Sequence, residues 1–208
     1  MPRTNVYIDG FNFYYGAMRH TPYKWLNFAE LCRLMLPSHK INRIKYFTAR
    51  VQARPTDPDQ PVRQETYLRA LKTIPNMSIT FGHFMTKVAF MPLAGQNPLT
   101  PTTVRVVKTE EKGSDVNIAS HMINDGYKGD YDIAVLISND SDLVEPVRIV
   151  TQELNSKVGI LNPHKKQSRE LSQYATFYKP IRAGVLAASQ FPATLTDSAG
   201  TFHKPAAW

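Results

Sequence analysis

Cysteine is almost missing from this 208-residue sequence, and Cys32 is its only example. It cannot pair within the chain, and its place in the apolar segment LCRLML predicts a small core side chain rather than a nucleophile. The six histidines show no metal-ligand spacing, so a zinc site is disfavoured. The patterns GxxxxGK[ST] and GxGxxG are also missing, which argues against a P-loop NTPase and against the common form of dinucleotide binding.

Long hydrophobic runs are missing as well. No stretch approaches the roughly 18 apolar residues that a membrane helix needs. The N-terminal MPRTNVYIDG enters a β-prone run at once, with no signal peptide. We therefore expect a cytoplasmic protein with no membrane partner.

Acidic residues are fewer than basic ones. Lys and Arg total 25 against 17 Asp and Glu, which gives a formal net charge of +8 and a pI of about 9.6. A positive surface attracts polyanions by long-range steering, and nucleic acid is the usual polyanion. Charge alone leaves a second interpretation open, in which the basic residues only keep the protein in solution.

Short β-prone runs alternate with helix-like segments along the chain. NVYI, SITFGHFM, DIAVLI and KVGILNP are typical of strands, and the apolar spacing in WLNFAELCRLMLP predicts a helix capped by Asn27. Another helix is predicted from Gly113 to a stop at Gly126. This alternation predicts an α/β, Rossmann-like fold with a mainly parallel central sheet flanked by helices.

Two segments depart from this alternation. KVAFMPLAGQNPLTPTTVRVVKT predicts an inserted β-hairpin at about residues 84–109, which would serve as a homodimer contact or as a substrate wall. Residues 187–208 lack periodicity and are rich in small residues and proline, so we expect a C-terminal tail that is disordered or docked as coil. The rest of the chain, residues 1–186, is predicted to form one domain.

Acidic residues follow the predicted strands at their carboxyl ends. Asp9 ends the first strand, Asp140 and Asp142 follow DIAVLI, and Asp115 stands in the first turn of the preceding helix. Because the functional crevice of an open parallel sheet lies beyond these ends, the four acids are expected to converge. Each has a structural alternative: Asp142 with Glu145 is typical of a helix N-cap, Asp115 suits the helix dipole, and Asp9 and Asp140 suit turns.

Converging carboxylates repel one another unless a cation compensates their charge. Mg²⁺ and Mn²⁺ prefer carboxylate and water oxygens, and a phosphodiester supplies further oxygen ligands. Such an ion lowers the pKa of a bound water and so supplies a nucleophile for in-line attack on a phosphodiester. The sequence thus predicts a Mg²⁺ or Mn²⁺ site in which Asp9, Asp140 and Asp142 bind the metal ion. Asp115 would complete the cluster or orient the water.

Basic residues are expected at the same edge of the sheet. The loop LNPHKKQSRE follows the strand KVGILNP and carries His164, Lys165, Lys166 and Arg169, and Lys112 precedes the helix that begins near Gly113. These side chains could hold a phosphate backbone. A solvated loop before a helix is the alternative.

Three ordered segments, YIDGFNFYYG, EKGSDVNIASHMI and LISNDSDLVEPV, resemble the successive motifs of the NYN domain, a group of PIN-like nucleases that includes LabA-type proteins. SRELSQYATFYKPI resembles the closing segment of that family, so the similarity spans about residues 3–182. The resemblance implies a PIN-like fold and a Mg²⁺- or Mn²⁺-dependent ribonuclease. Its acidic positions fall on Asp9, Asp115, Asp140 and Asp142, and its supporting polar positions fall on Asn12 and Ser138.

The chain departs from the family's pattern in places. The third motif usually reads Ser-Gly-Asp-Ser-Asp-Phe, whereas this chain has Asn139 for the glycine and Leu143 for the phenylalanine. Asn tolerates a left-handed backbone, so the turn is expected to survive. Thr176 stands where an acid is common, which puts one peripheral polar contact in doubt.

The leading hypothesis is metal-dependent hydrolysis of phosphodiester bonds in single-stranded or structured RNA. A binding module that holds RNA or a protein and cuts weakly or not at all is the second hypothesis, and the four acids together favour the enzyme. A metal-dependent phosphatase for small phosphate esters is the third, and the net charge of +8 disfavours it. The predicted substrate-binding residues are Asn12, Lys112, Ser138, His164, Lys165, Lys166 and Arg169.

Overall fold

The computed structural model of the chain describes residues 1–95 and 102–208. Its strands are β1 (Arg3–Asp9), β2 (Lys40–Thr48), β3 (Met77–Phe81), β4 (His83–Pro92), β5 (Thr103–Lys112), β6 (Ile133–Ile137), β7 (Lys157–Asn162), β8 (Phe177–Pro180), β9 (Thr194–Asp197) and β10 (Gly200–His203). Six of them form one sheet in the order β3-β2-β1-β6-β7-β8, and every pairing in it is parallel. The predicted Rossmann-like sheet is therefore confirmed.

Helices cover both faces of this sheet. They are α1 (Gly10–Phe13), which continues as a π-helical turn over Tyr14–Met18, α2 (Phe28–Met35), α3 (Gln60–Lys72), α4 (Ser114–Tyr127), α5 (Val144–Arg148), α6 (Arg169–Tyr174) and α7 (Ala183–Ala188). No helix in the described part of the chain combines the length and apolar character needed to cross a membrane.

Side chains of β1 and β6 alternate between two hydrophobic clusters. Val6 and Ile8 of β1 pack with α1, α2 and α3 on one face, whereas Tyr7 packs with α4 and α5 on the other. This alternation follows from the two-residue repeat of a strand, and it explains why DIAVLI is apolar at consecutive positions. Cys32 lies fully buried in the first cluster, as predicted.

One predicted helix end is confirmed and another is wrong. The side chain of Asn27 accepts hydrogen bonds from the backbone amides of Ala29 and Glu30 and so caps α2. Gly126, the predicted stop of α4, lies inside that helix. A Cβ atom there would lie 2.4 Å from the Tyr131 hydroxyl, so close packing accounts for the glycine. Gly129 takes the positive φ angle that follows the helix.

The predicted hairpin is present as an antiparallel pair, β4 and β5, which runs from His83 opposite Lys112 to Pro92 opposite Thr103. The predicted turn between its strands falls partly outside the described residues. Large apolar side chains on both strands face solvent, and Phe90 is 70% exposed. The hairpin forms its own two-stranded sheet, apart from the parallel one.

The expectation that the segment from residue 187 is disordered or docked as coil is wrong, because β9 and β10 form an antiparallel pair there. Aromatic side chains anchor this segment: the Trp25 ring contacts Phe191, Phe202 and Trp208. Phe191 and Phe202 are each 7% exposed and belong to the first hydrophobic cluster. Isolated aromatics without a repeat carry little sequence signal for a docked segment. The division of the chain into a domain and a tail stays a prediction.

Candidate metal centre

Three acidic side chains meet at the carboxyl ends of the two central strands. Asp9 is the last residue of β1, Asp140 lies in the loop after β6, and Asp115 lies in the first turn of α4. Each offers a carboxylate oxygen, and these three oxygens all lie within 4.8 Å of one another. The strands β1 and β6 are neighbours in the parallel sheet, and the chain continues from them to β2 and β7 on opposite sides, which is the position where open α/β sheets bind their ligands.

Hydrogen bonds hold the loop after β6 against Asp9. The Asp9 carboxylate accepts from the backbone amide of Asn12 at 2.9 Å and from the Ser138 hydroxyl at 3.1 Å. The same hydroxyl accepts from the backbone amide of Asp140 at 3.1 Å. Ser138 is fully buried, so it joins the two acid-bearing segments without contact with water.

Burial and mutual repulsion act on the acids in the same direction. The pKa of Asp9 is raised to about 6, mainly by burial and further by the charges of Asp115 and Asp140. Burial also raises the pKa of Asp115, and the charges of Asp140, Glu111 and Asp142 add to the effect. A cation between the carboxylates would reverse these shifts, because it favours their ionised forms.

Asp142 lies outside the three-acid group. It is exposed, and its backbone amide donates to Asp140 Oδ1 at 3.1 Å. Asp140, rather than Asp142, is therefore the N-cap of the short 3₁₀ turn Ser141–Leu143 that leads into α5. The alternative of an Asp142 cap is wrong, and Glu145 pairs with Arg148 instead. The capping bond from the Asp142 amide engages one oxygen of the Asp140 carboxylate.

The donor set suits a hard divalent cation. Three carboxylates and no sulfur or imidazole ligand match the preference of Mg²⁺ and Mn²⁺ for oxygen. Opposite ligands of Mg²⁺ stand about 4.2 Å apart, twice the metal–oxygen distance of about 2.1 Å. The separation of up to 4.8 Å is slightly wider, so small side-chain movements would bring the three oxygens to one ion.

His164 of the basic loop contacts the segment after Asp9. Its Nε2 atom lies 3.1 Å from both the backbone and the side-chain oxygen of Asn12. The ring packs against Gly16, where a Cβ atom would lie 2.6 Å from it. The glycine in FNFYYG thus makes room for His164, and the loop after β7 is brought toward β1 as predicted.

The remaining predicted basic residues differ in their placement. Lys165 and Lys166 are exposed in the loop between β7 and α6, and Arg169 is exposed at the start of α6. Lys112 ends β5 and lies 3.3 Å from a Glu110 carboxylate oxygen, so its charge is partly neutralised there. The first three residues stay free to contact a ligand.

Two asparagines that organise the site had no predicted role in binding. The Asn139 side-chain oxygen accepts from the backbone amide of Ser168, and the backbone amide of Asn139 donates to Asn12 Oδ1. Among the described residues only Asn155 combines a side chain with a positive φ, so the turn that Asp140 caps is present and Asn139 does not take a left-handed backbone in it. Asn162 is buried and donates to the backbone oxygens of His164 and Lys166. A polar residue at the end of an apolar strand is the signal that would have found Asn162.

Comparisons with known proteins relate the chain to a domain family, to a bacterial enzyme and to a solved structure. The sequence matches the family model described as the NYN domain over residues 3–182. The 6-hydroxy-3-succinoylpyridine 3-monooxygenase HspA of Pseudomonas putida (strain DSM 28022 / S16) is 32% identical over 235 aligned residues, which cover 99% of this chain and 75% of HspA. The crystal structure of a protein of unknown function from Vibrio parahaemolyticus RIMD 2210633 has a TM-score of 0.58 at 17% identity, and the match covers 88% of this chain and 94% of that one.

Proposed function

The chain belongs to the NYN domain family, and on that premise we propose that it is a metal-dependent ribonuclease that hydrolyses phosphodiester bonds of cytoplasmic RNA. One observation carries the proposal: Asp9, Asp115 and Asp140 come from three separate segments, yet their oxygens lie within 4.8 Å of one another. Such a cluster is unfavourable without a cation: the pKa of Asp9 is raised to about 6, first by burial and then by the charges of Asp115 and Asp140.

Each acid has a proposed role. Asp9, Asp115 and Asp140 would hold a Mg²⁺ or Mn²⁺ ion, which supplies polarisation of the phosphoryl oxygen and activation of water when bound. Asp142 is exposed beside them and would orient the attacking water. This assignment exchanges the roles that the sequence suggested for Asp115 and Asp142. Ser138 and Asn12 would keep the loop after β6 in register with β1.

The basic loop supports RNA as the substrate. Lys165, Lys166 and Arg169 are exposed, and the hydrogen bonds of Asn162 and His164 fix their loop beside the segment that follows Asp9. Side chains of this kind neutralise phosphates next to the one that is cut. The net charge of +8 would steer RNA toward the protein in the same way.

Cleavage of end-labelled RNA tests the proposal. Purified protein is incubated with single-stranded and hairpin RNA in Mn²⁺, Mg²⁺ or EDTA, beside the variants Asp140→Asn and Asp132→Asn. Asn at position 140 keeps the capping oxygen and removes the charge, so we expect cleavage to fall by more than about a hundredfold. Asp132 lies before the amino end of β6 and pairs with Arg3, which makes it the matched control.

Each outcome has a meaning. Metal-stimulated cleavage that Asp140→Asn abolishes and Asp132→Asn leaves intact supports the ribonuclease. RNA binding without metal-stimulated cleavage would replace the enzyme by a binding module. Hydrolysis of p-nitrophenyl phosphate but not of RNA would support a phosphatase, and cleavage that survives both EDTA and Asp140→Asn would identify a contaminating nuclease.

A second candidate activity comes from HspA, whose likeness extends over nearly the whole chain. We propose as the alternative that the same acidic site serves the monooxygenation of a small hydroxypyridine. Insertion of one oxygen atom of O₂ consumes two electrons and yields water, so the assay supplies a reduced nicotinamide with 6-hydroxy-3-succinoylpyridine. Substrate-dependent O₂ uptake with product formation would favour this candidate, and none in the presence of Fe²⁺, Mn²⁺ or Mg²⁺ would dismiss it.

A further inference from the structure

A cavity of about 440 Å³ lies beside the acidic cluster and outside it. Gly10, the residue after Asp9, lines it, as do Tyr46 and Thr48 at the carboxyl end of β2. Gly10 packs directly on Tyr46, since a Cβ atom there would lie 2.7 Å from the tyrosine hydroxyl. A cavity of this size accommodates a molecule of one or two rings.

Aromatic side chains from several elements form the walls. Phe11 of α1 packs edge-to-face on Phe84 of β4, with ring centroids 5.5 Å apart. Tyr67 of α3 packs in the same way on Trp208, with centroids 5.7 Å apart. Tyr14 also lines the cavity. The hairpin and the C-terminal segment therefore both contribute walls, and a planar ring between them would meet aromatic faces and edges.

The acidic side chains that line the cavity have partners among the described residues, whereas two of its basic side chains do not. Its two acids are engaged: Asp57 pairs with Arg63, and Glu111 accepts from the Ser114 hydroxyl at 2.9 Å. Lys24 and Arg54 also line it, and neither side chain has a hydrogen bond or ion pair with any of the described residues. Two unpaired cations beside aromatic walls suit an anion that is attached to a ring.

We propose that this cavity binds a small one-ring aromatic carboxylate, with its ring between the aromatic walls and its carboxylate toward Lys24 and Arg54. A monoanion fits better than a phosphate dianion, because the acids of the neighbouring cluster repel the greater charge more strongly. The site goes beyond the proposed ribonuclease, since it needs neither the metal ion nor RNA. For the alternative monooxygenase, whose substrate is also a one-ring aromatic carboxylate, it would add a binding site for the ring and the carboxylate beside the acidic cluster.

Calorimetric titration of EDTA-treated protein tests the proposal in the absence of any catalysis. The probes are 4-hydroxybenzoate and nicotinate, with benzamide as the ring without charge, acetate as the charge without ring, and AMP and UMP as nucleotides. We expect the aromatic carboxylates to bind at least about tenfold more tightly than the other probes. Benzamide lacks the negative charge, acetate lacks the ring, and AMP and UMP carry a greater charge.

Variants locate the site. Arg54→Gln removes an exposed, unpaired cation and is expected to weaken binding of 4-hydroxybenzoate about tenfold without a change in thermal midpoint. Arg182→Gln, at an exposed arginine that does not line the cavity, is the matched control and is expected to bind as the wild type does. Phe84→Ala removes one aromatic wall outside the buried core and is expected to weaken the binding of both 4-hydroxybenzoate and nicotinate.

The wild-type protein provides a measurement that does not depend on variants. Its two tryptophans give two indole N–H signals in an NMR spectrum. The Trp25 indole N–H donates a hydrogen bond to the Pro192 carbonyl. We expect 4-hydroxybenzoate to shift the Trp208 signal more than the Trp25 signal. Equal affinity for acetate, preference for AMP or UMP, or full binding by Arg54→Gln would overturn the proposal. None of these results would bear on metal-dependent RNA cleavage.

Discussion

Asp9 combines deep burial with two acidic neighbours, and this combination has a thermodynamic consequence. It is 4% exposed, and its pKa in the folded protein is about 6 against an ordinary value of 3.8. Between these two values the folded state binds more protons than the unfolded state, so stability due to this group is present at low pH and is lost as the pH rises through about 6. At neutral pH the metal-free protein therefore carries an unfavourable charge at its candidate active site.

Asp9→Asn is expected to stabilise the metal-free protein at pH 7.5. The amide can accept from Asn12 and donate to Ser138 without a charge, so we expect the free energy of unfolding in urea to increase by an amount on the order of 2 kcal/mol. At pH 4 the gain should be small, because Asp9 is protonated in the folded wild type. Mn²⁺ should raise the thermal midpoint of the wild type and leave that of the variant unchanged. A variant less stable than the wild type at both pH values would contradict this account.

Lys45 and Asp125 form a second buried charged group. It lies on the face of β1 and β2 that is opposite to the first hydrophobic cluster. Their side chains are each about 10% exposed, the ion pair measures 2.5 Å, and the Tyr7 hydroxyl donates to the same Asp125 oxygen at 2.7 Å. Removal of one partner leaves a buried charge without compensation. Lys45→Met is therefore expected to lower the free energy of unfolding by about 3–5 kcal/mol.

The double variant Lys45→Met/Asp125→Leu separates the loss of the pair from the loss of volume. With both charges gone, most of the stability should return, since an apolar replacement for a buried pair is often neutral. Urea unfolding of the wild type, both single variants and the double variant gives the coupling energy. Equal destabilisation by the single and double variants would mean that shape rather than charge dominates here.

Elements of the sheet were predictable because their burial leaves a pattern in the sequence. DIAVLI is apolar at successive positions because it is covered on both faces, and Asp140 follows it because the carboxyl edge is where polar groups are tolerated. Asn27 was predictable as a cap because capping is local. The three-acid group was predictable as a convergence, whereas the exclusion of Asp142 depends on the turn after β6, which sequence spacing does not determine.

The C-terminal segment was not predictable, because single aromatic anchors hold it in place. Phe202 of β10 is 7% exposed, contacts Trp25 and lies under the Arg69 guanidinium, 4.1 Å from its ring centroid. Phe202→Ala is expected to lower the free energy of unfolding by about 3 kcal/mol. Phe90→Ala, at a phenylalanine that is 70% exposed on β4, is the matched control and should change it by less than about 0.5 kcal/mol. Similar values for the two variants would show that the segment is not part of the cooperative fold.

The acidic cluster and a loop of exposed lysines lie close together, at the same edge of the central sheet. The acidic cluster lies at the carboxyl edge of the sheet, and the loop with Lys165 and Lys166 rises from the same edge after β7. A substrate that is a polyanion can contact both, provided that a metal ion neutralises the acids. A substrate with a single charge would gain little from the loop. The salt dependence of binding therefore distinguishes the two kinds of ligand.

Asp140→Asn, which should bind RNA without cutting it, makes this dependence measurable. We expect the affinity for single-stranded RNA to fall linearly with salt on a double-logarithmic plot, and Lys165→Gln/Lys166→Gln to reduce the slope by about 1.4, which is about 0.7 for each phosphate that a lysine no longer neutralises. Lys40→Gln/Lys157→Gln removes two exposed lysines at the amino ends of β2 and β7, on the opposite edge of the sheet, and should change the slope much less. Fluorescence anisotropy between 50 and 300 mM KCl, roughly the range in which such slopes are resolved, provides the measurement. Equal slope changes from the two pairs would mean that RNA is held by the overall charge of the molecule, and the proposed path of the phosphate backbone over the acidic edge would be wrong.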